Sequence, residues 1–174
     1  MPKVIEKVRE QLLKEVKKQI IEHGYSQTTI RSVAKACNLG VGTVYNYFPS
    51  KDMLIASVVA EDWRLSSENF QKTTNVNLSN PKETLELIYT MLQSFTEEHK
   101  TLFTDPEAVK KFSSTFTERH GILRNQIAQF ILPICQTKSQ DPQFLSQFIA
   151  ESLLTWFMAG VPFENIYEII KKLI

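Results

Sequence analysis

The residues with chemistry to offer crowd into one stretch, Gly24 to Lys51, which reads GYSQTTIRSVAKACNLGVGTVYNYFPSK and has no acidic side chain between Arg31 and Lys51. Gly40, Val41, Gly42 and Thr43 present almost no bulk, and Tyr45, Asn46 and Tyr47 follow them. Each glycine in a helix interior costs about 1 kcal/mol, so a glycine-rich helix start implies a use beyond folding, such as close approach of the backbone to another polymer. Free amides at a helix start attract phosphate, the methyl groups of Val41 and Thr43 match thymine, and the Asn46 amide matches an adenine edge. Thr28, Thr29, Tyr45, Tyr47 and Lys51 are the candidates for holding a phosphate backbone and setting register. The bare residues also fit a second description, a small helical hairpin whose tyrosines cap a core.

These side chains need helices to present them. Val8, Leu12, Val16 and Ile20 recur at four-residue steps and predict an amphipathic helix over about 4–23, closed by Gly24 with Tyr25 packing back over its last turn. Ser26 to Thr29 is a polar start signal for a short helix over about 30–37, where Ile30, Val33, Ala34 and Cys37 keep helical spacing. Asn38-Leu39-Gly40 interrupts the pattern, Val44 and Phe48 mark a third helix that Pro49 ends, and Ser50 caps a long fourth one to about residue 70. Ile30, Val33, Ala34, Leu39, Val44 and Phe48 are then core rather than site. Two short helices joined by a tight turn make the unit in which the second helix enters the DNA major groove. Past a polar connector at 71–80, Pro81, Asp105-Pro106 and Asp141-Pro142 open further helices, expected over 81–100, 106–117, 120–137, 142–158 and 163–173, with Pro133 bending or ending the one it lies in. The predicted fold class is all-α, with about nine helices.

Gly24-Tyr25, Thr28-Thr29-Ile30, Val33-Ala34, Gly42-Thr43-Val44-Tyr45, Tyr47-Phe48 and Ser50-Lys51 carry, at its spacing, a pattern that resembles the DNA-binding domain of the tetracycline-repressor (TetR) family of bacterial transcriptional regulators. The similarity spans about residues 5–60. It implies a helix-turn-helix domain over 1–50 and a helical ligand-sensing and dimerisation domain over 51–174, with 51–70 as the linking helix. It also implies phosphate contacts at Thr29, Tyr45, Tyr47 and Lys51, and base contacts at Arg31, Val41, Gly42, Thr43 and Asn46. Asn38 stands where the family has a glycine and can still adopt the left-handed conformation of the turn. Gly40 stands where the family has a serine, which removes a hydroxyl cap. The function expected is that of a homodimeric, ligand-responsive regulator, a repressor, on a pseudo-palindromic operator of double-stranded DNA. The rival is a helical protein-interaction module of the same fold that has lost DNA binding, with Gly40 and Val41 as its symptoms.

The net charge of +1 divides at Lys51 into +5 before it, that residue included, and −4 after it, so a basic module precedes an acidic remainder. Cys37 and Cys135 have no paired ligand spacing, the N-terminus is charged, and no stretch is apolar enough for a membrane span, which places the protein in the cytoplasm. Many aromatic residues follow residue 70. A pocket for a small apolar effector is expected among Met91, Phe95, Phe112, Phe116 and Phe130. The dimer interface is expected on the last two helices, where Phe148, Ser152 and Trp156 share one face and Phe163, Ile166, Tyr167 and Ile170 another. His23, His99 and His120 have neither metal-ligand spacing nor a nucleophile beside them, and Gly40-Val41-Gly42 lacks the strand and third glycine of a dinucleotide fingerprint. Neither an enzyme nor a cofactor or metal is expected.

Overall fold

The computed structural model describes residues 2–74 and 78–174, with side chains described for all of these except 2–6 and 113–119. The described residues form nine helices: α1 (Pro2–Gln27), α2 (Ile30–Ala36), α3 (Val41–Tyr47), α4 (Lys51–Thr73), α5 (Pro81–Glu98), α6 (Lys100–Phe103), α7 (Pro106–Gln136), α8 (Pro142–Met158) and α9 (Phe163–Ile170). Among them there is no strand, and no helix is long and apolar enough to cross a membrane. By packing they fall into two compact units, Met1–Arg64 with Glu98–Ser114, and Leu65–Glu97 with Thr115–Ile174. These limits differ from the expected division at residue 50.

In the first unit α1 buries Leu12, Val16 and Ile20 of the predicted stripe, with Leu13 beside them, while Val8 is half-buried. It packs on α2 and α6, and α2 packs on α3. Gly24 breaks α1 with φ 79° and ψ 176°, a conformation other residues rarely adopt. The Thr28 hydroxyl closes this bend by donating to the Gly24 carbonyl at 2.8 Å. Asn38 takes the left-handed φ of 55° that the tight turn needs. Ile30, Val33, Ala34, Val44 and Phe48 are buried, and α2 and α3 are locked through them. Their burial is worth roughly 1.5–3 kcal/mol for each large side chain.

A polar cluster around the buried His99 ties three segments of this unit together. Lys17 on α1 lies 2.9 Å from Asp62 on α4 and 2.6 Å from Glu98, while His99 Nε2 is 3.2 Å from the same Asp62 oxygen. Burial alone would raise the Asp62 carboxyl, but the close approach of His99 and Lys17 to it together outweighs this and holds the group below its ordinary range.

The second unit has a core of Leu85, Ile88, Leu92, Ile127, Ile131, Ile134, Ile149 and Leu153. Phe70 and Phe130 pack with centroids 4.7 Å apart. Asp141 caps α8 by accepting the Phe144 amide at 3.0 Å, and α8 packs on α9. Two expectations need correction. The helices expected over 106–117 and 120–137 are one, α7, which runs through Gly121 and past Pro133 to Gln136. A short α6 lies where no helix was expected. Residues 75–77 of the expected connector lie outside the described residues.

Candidate nucleic-acid interface

Helix α2 begins with a reciprocal cap. The Thr29 hydroxyl accepts the Ser32 amide at 3.0 Å, and the Ser32 hydroxyl accepts the Thr29 amide at 3.0 Å. The Ser32 hydroxyl also donates to Gln19 Oε1 at 2.6 Å, which pins the start of α2 to α1. Thr29 and Arg31 are exposed, so the first turn of α2 offers a hydroxyl and a guanidinium on a fixed scaffold.

Helix α3 shows its other side to solvent. Val44 faces inward at 0 % exposure, while Tyr45 is 51 % exposed. Val41, Gly42 and Asn46 are exposed too, and Thr43 and Tyr47 are half-buried. The N-cap, Gly40, makes no side-chain hydrogen bond to the helix. A Cβ added at Gly42 would meet nothing within 4 Å, so the fold itself leaves that space open. Helices α2 and α3 themselves carry no acidic side chain and the backbone is accessible at Gly42, which suits a polyanion whose base edges must come close.

Ser50 caps α4 by accepting the Met53 amide at 3.1 Å. Lys51 in the first turn is half-buried. Its ammonium donates to the Tyr25 carbonyl and stands 3.8 Å from the centre of the Tyr25 ring. Burial pushes this ammonium below its ordinary pKa, against the opposing pull of Asp52.

The structure thus gathers Thr29, Arg31, Val41, Gly42, Thr43, Tyr45, Asn46, Tyr47 and Lys51 within one unit. Thr28 is the exception. It is 1 % exposed and its hydroxyl is committed to Gly24, so it closes the bend instead of holding a phosphate. Sequence reasoning also passed over Gln19, a buried side chain whose partner lies thirteen residues away. No periodic pattern marks such a pairing.

The residues expected to line an effector pocket divide between the two units. Phe112 belongs to the first unit and meets Tyr25 edge-on, with centroids 5.9 Å apart, while Phe130 pairs with Phe70. Phe95 is buried and Met91 half-buried; the Phe116 side chain lies outside the described residues. A cavity of about 10 Å³ beside Lys17, Glu98, His99 and Leu102 has room for about one water molecule.

The expected dimer faces also divide. Phe163, Ile166 and Ile170 are buried within the chain's own second unit, at 7 %, 5 % and 2 % exposure, which removes them from an interface. Tyr167 is half-buried and stacks on Phe163. On α8, by contrast, Phe148 and Trp156 are 49 % and 53 % exposed, and Phe144, which was not among the expected residues, is 66 % exposed. Ser152, between them, donates to the Phe148 carbonyl. Among the described residues no group of His, Cys, Asp and Glu is placed to hold a metal ion.

Comparison with known proteins bears on this surface directly. Residues 12–58 match the family described as "Bacterial regulatory proteins, tetR family". Over 70 residues the chain is 36% identical to the HTH-type transcriptional repressor KstR of Rhodococcus jostii, covering 40% of this chain and 31% of that one. Over 120 residues it is 26% identical to the HTH-type transcriptional repressor AcnR of Corynebacterium efficiens, covering 66% and 59%. Each match thus spans less than two thirds of the curated relative. Both relatives are named as transcriptional repressors. The fold is shared with the fatty acid degradation regulator FadR from Bacillus halodurans, with a TM-score of 0.50 and 18% identity over 92% of this chain and 96% of that one.

Proposed function

We propose, from the premise that the chain belongs through residues 12–58 to the TetR family of bacterial transcriptional regulators, that it represses transcription as a homodimer bound to a pseudo-palindromic operator. The observation that carries the reading is the outer face of α3, where Gly42, Tyr45 and Asn46 stand exposed on a helix start without acidic groups. Thr29, Tyr45, Tyr47 and Lys51 contact phosphate, and Arg31, Val41, Gly42, Thr43 and Asn46 meet the bases. Residues 1–50 read DNA. Residues 51–174, with 51–70 linking, sense and dimerise.

The dimer forms through the exposed face of α8, Phe144, Phe148, Ser152 and Trp156, because apolar side chains this exposed are stabilised by a partner surface. The proposed effector is a small apolar molecule received among the aromatic residues of the second unit, with Met91, Phe95 and Phe130 as its neighbours. It acts by preferring one of two arrangements of the dimer. A ligand binding both equally would shift nothing.

Mobility shift at two salt concentrations tests the core of this proposal. Phosphate contacts make log K fall with log salt by about 0.9 per contact, so affinity should drop steeply as salt rises. Absence of any salt-dependent binding would favour the rival reading, an interaction module that kept the fold alone. Asn46→Ala should change preference at one base pair, by about 1–3 kcal/mol.

A further inference from the structure

Tyr25 has a second set of partners besides the helix end it covers. Its hydroxyl donates to Asp52 Oδ1 at 2.6 Å. Its carbonyl accepts the Lys51 ammonium, and its ring presents a face to the same ammonium at 3.8 Å. The ring edge abuts Phe112, with planes at 78°, and next to it Ser26 donates to Glu107 at 2.7 Å. Burial and then the Asp52 carboxylate push the Tyr25 phenol up, so it remains a donor. One tyrosine therefore joins the end of α1, the start of α4 and the start of α7, all within the first unit.

An ammonium has three N–H donors. The Tyr25 carbonyl takes one, and the ring covers one side by a cation–π contact. Lys51 is half-buried rather than sealed, so donors remain for a partner outside the chain. A free lysine would lose rotamer freedom on reaching a phosphate. Here much of that ordering is already in place.

We propose that Tyr25 is a positioning residue for DNA binding, its ring and carbonyl holding the Lys51 ammonium ready for a phosphate of the duplex. This rests on the reading of Lys51 as a phosphate contact, and the test separates the two. Affinity for a random-sequence DNA duplex is measured against salt for the wild type, Lys51→Gln, Tyr25→Leu and the double variant. Lys51→Gln should weaken binding and reduce the salt slope by about 0.9 for each protomer engaged on the duplex. Tyr25→Leu should weaken binding about three- to ten-fold when Lys51 is present, and hardly at all in the Lys51→Gln background.

Equal losses from Tyr25→Leu in both backgrounds would mean that Tyr25 only supports the fold, and would overturn the proposal. An unchanged salt slope in Lys51→Gln would overturn it too, while leaving DNA binding through α3 intact. A wild type that binds no duplex at low salt would remove the underlying reading and the proposal with it. Should Tyr25→Leu fail to fold, Tyr25→Phe keeps the ring and carbonyl and should bind close to wild type. A loss as large as that of Lys51→Gln would contradict the role given to the ring.

Discussion

Gly42 is kept at the expense of stability. A Cβ there would meet nothing within 4 Å, so Gly42→Ala should stabilise the protein by about 0.5–1 kcal/mol in urea unfolding. With Gly42 at the bases, as proposed, the same methyl group would stand between the backbone of α3 and a base pair, and the variant should bind DNA more weakly than the wild type. Undiminished binding would remove the argument for close approach. Asp62 makes a different prediction. Asp62→Asn leaves Lys17 with Glu98 alone and should cost about 1–3 kcal/mol, less than for a sealed ion pair because Asp62 keeps some solvent contact. Because the folded protein holds this carboxyl below its ordinary value, its contribution is full above the unfolded pKa of roughly 3.9 and is lost as pH falls through the folded one. Wild type and variant should thus differ in urea midpoint at neutral pH and converge in acid; a difference that persists there would exclude the ionised carboxylate as its source. Asn38 and Ser50 were legible in the sequence because turn and cap chemistry is local. The inward turn of Thr28 was not, since Thr28 and Thr29 are alike in type and only the bend at Gly24 decides which hydroxyl is buried.

At the scale of elements, that bend depends on a residue without a side chain. Gly24→Ala puts a methyl group on a backbone at φ 79°, ψ 176° and should destabilise the protein by about 1–3 kcal/mol, read as a lower urea midpoint. No change would mean that α1 can end in another way. Helix starts at Asp105-Pro106 and Asp141-Pro142 were readable because an aspartate cap and a first-turn proline act within four residues. The structure shows both caps. The continuity of α7 was not readable. Glu118 to Gly121 has the composition of a boundary, yet the helix continues, its C-terminal half burying Ile127, Ala128, Phe130, Ile131 and Ile134. Burial of that size outweighs the roughly 1 kcal/mol that a glycine costs a helix. Helix α6, of 4 residues, is too short for hydrophobic periodicity to declare itself.

For the whole molecule, the sequence division at Lys51 separated charge well but not packing. Glu98–Ser114 joins the first unit although it is distant along the chain, and such a return depends on tertiary contacts that no local pattern encodes. Phe148→Glu combined with Trp156→Glu places two carboxylates on the exposed face of α8, and should yield monomers in analytical ultracentrifugation with weakened operator binding. A variant that remains dimeric would move the interface elsewhere. Whether the chain reads duplex DNA through α3 as a two-fold assembly is decided by selection of duplexes from a random library with the purified protein. The expected result is enrichment of an inverted repeat whose half-sites lie one helical turn, about 10 base pairs, or a multiple of it apart, with enrichment at one base pair altered by Asn46→Ala. Recovery of no enriched sequence, with no salt-dependent retention of any duplex, would contradict such readout.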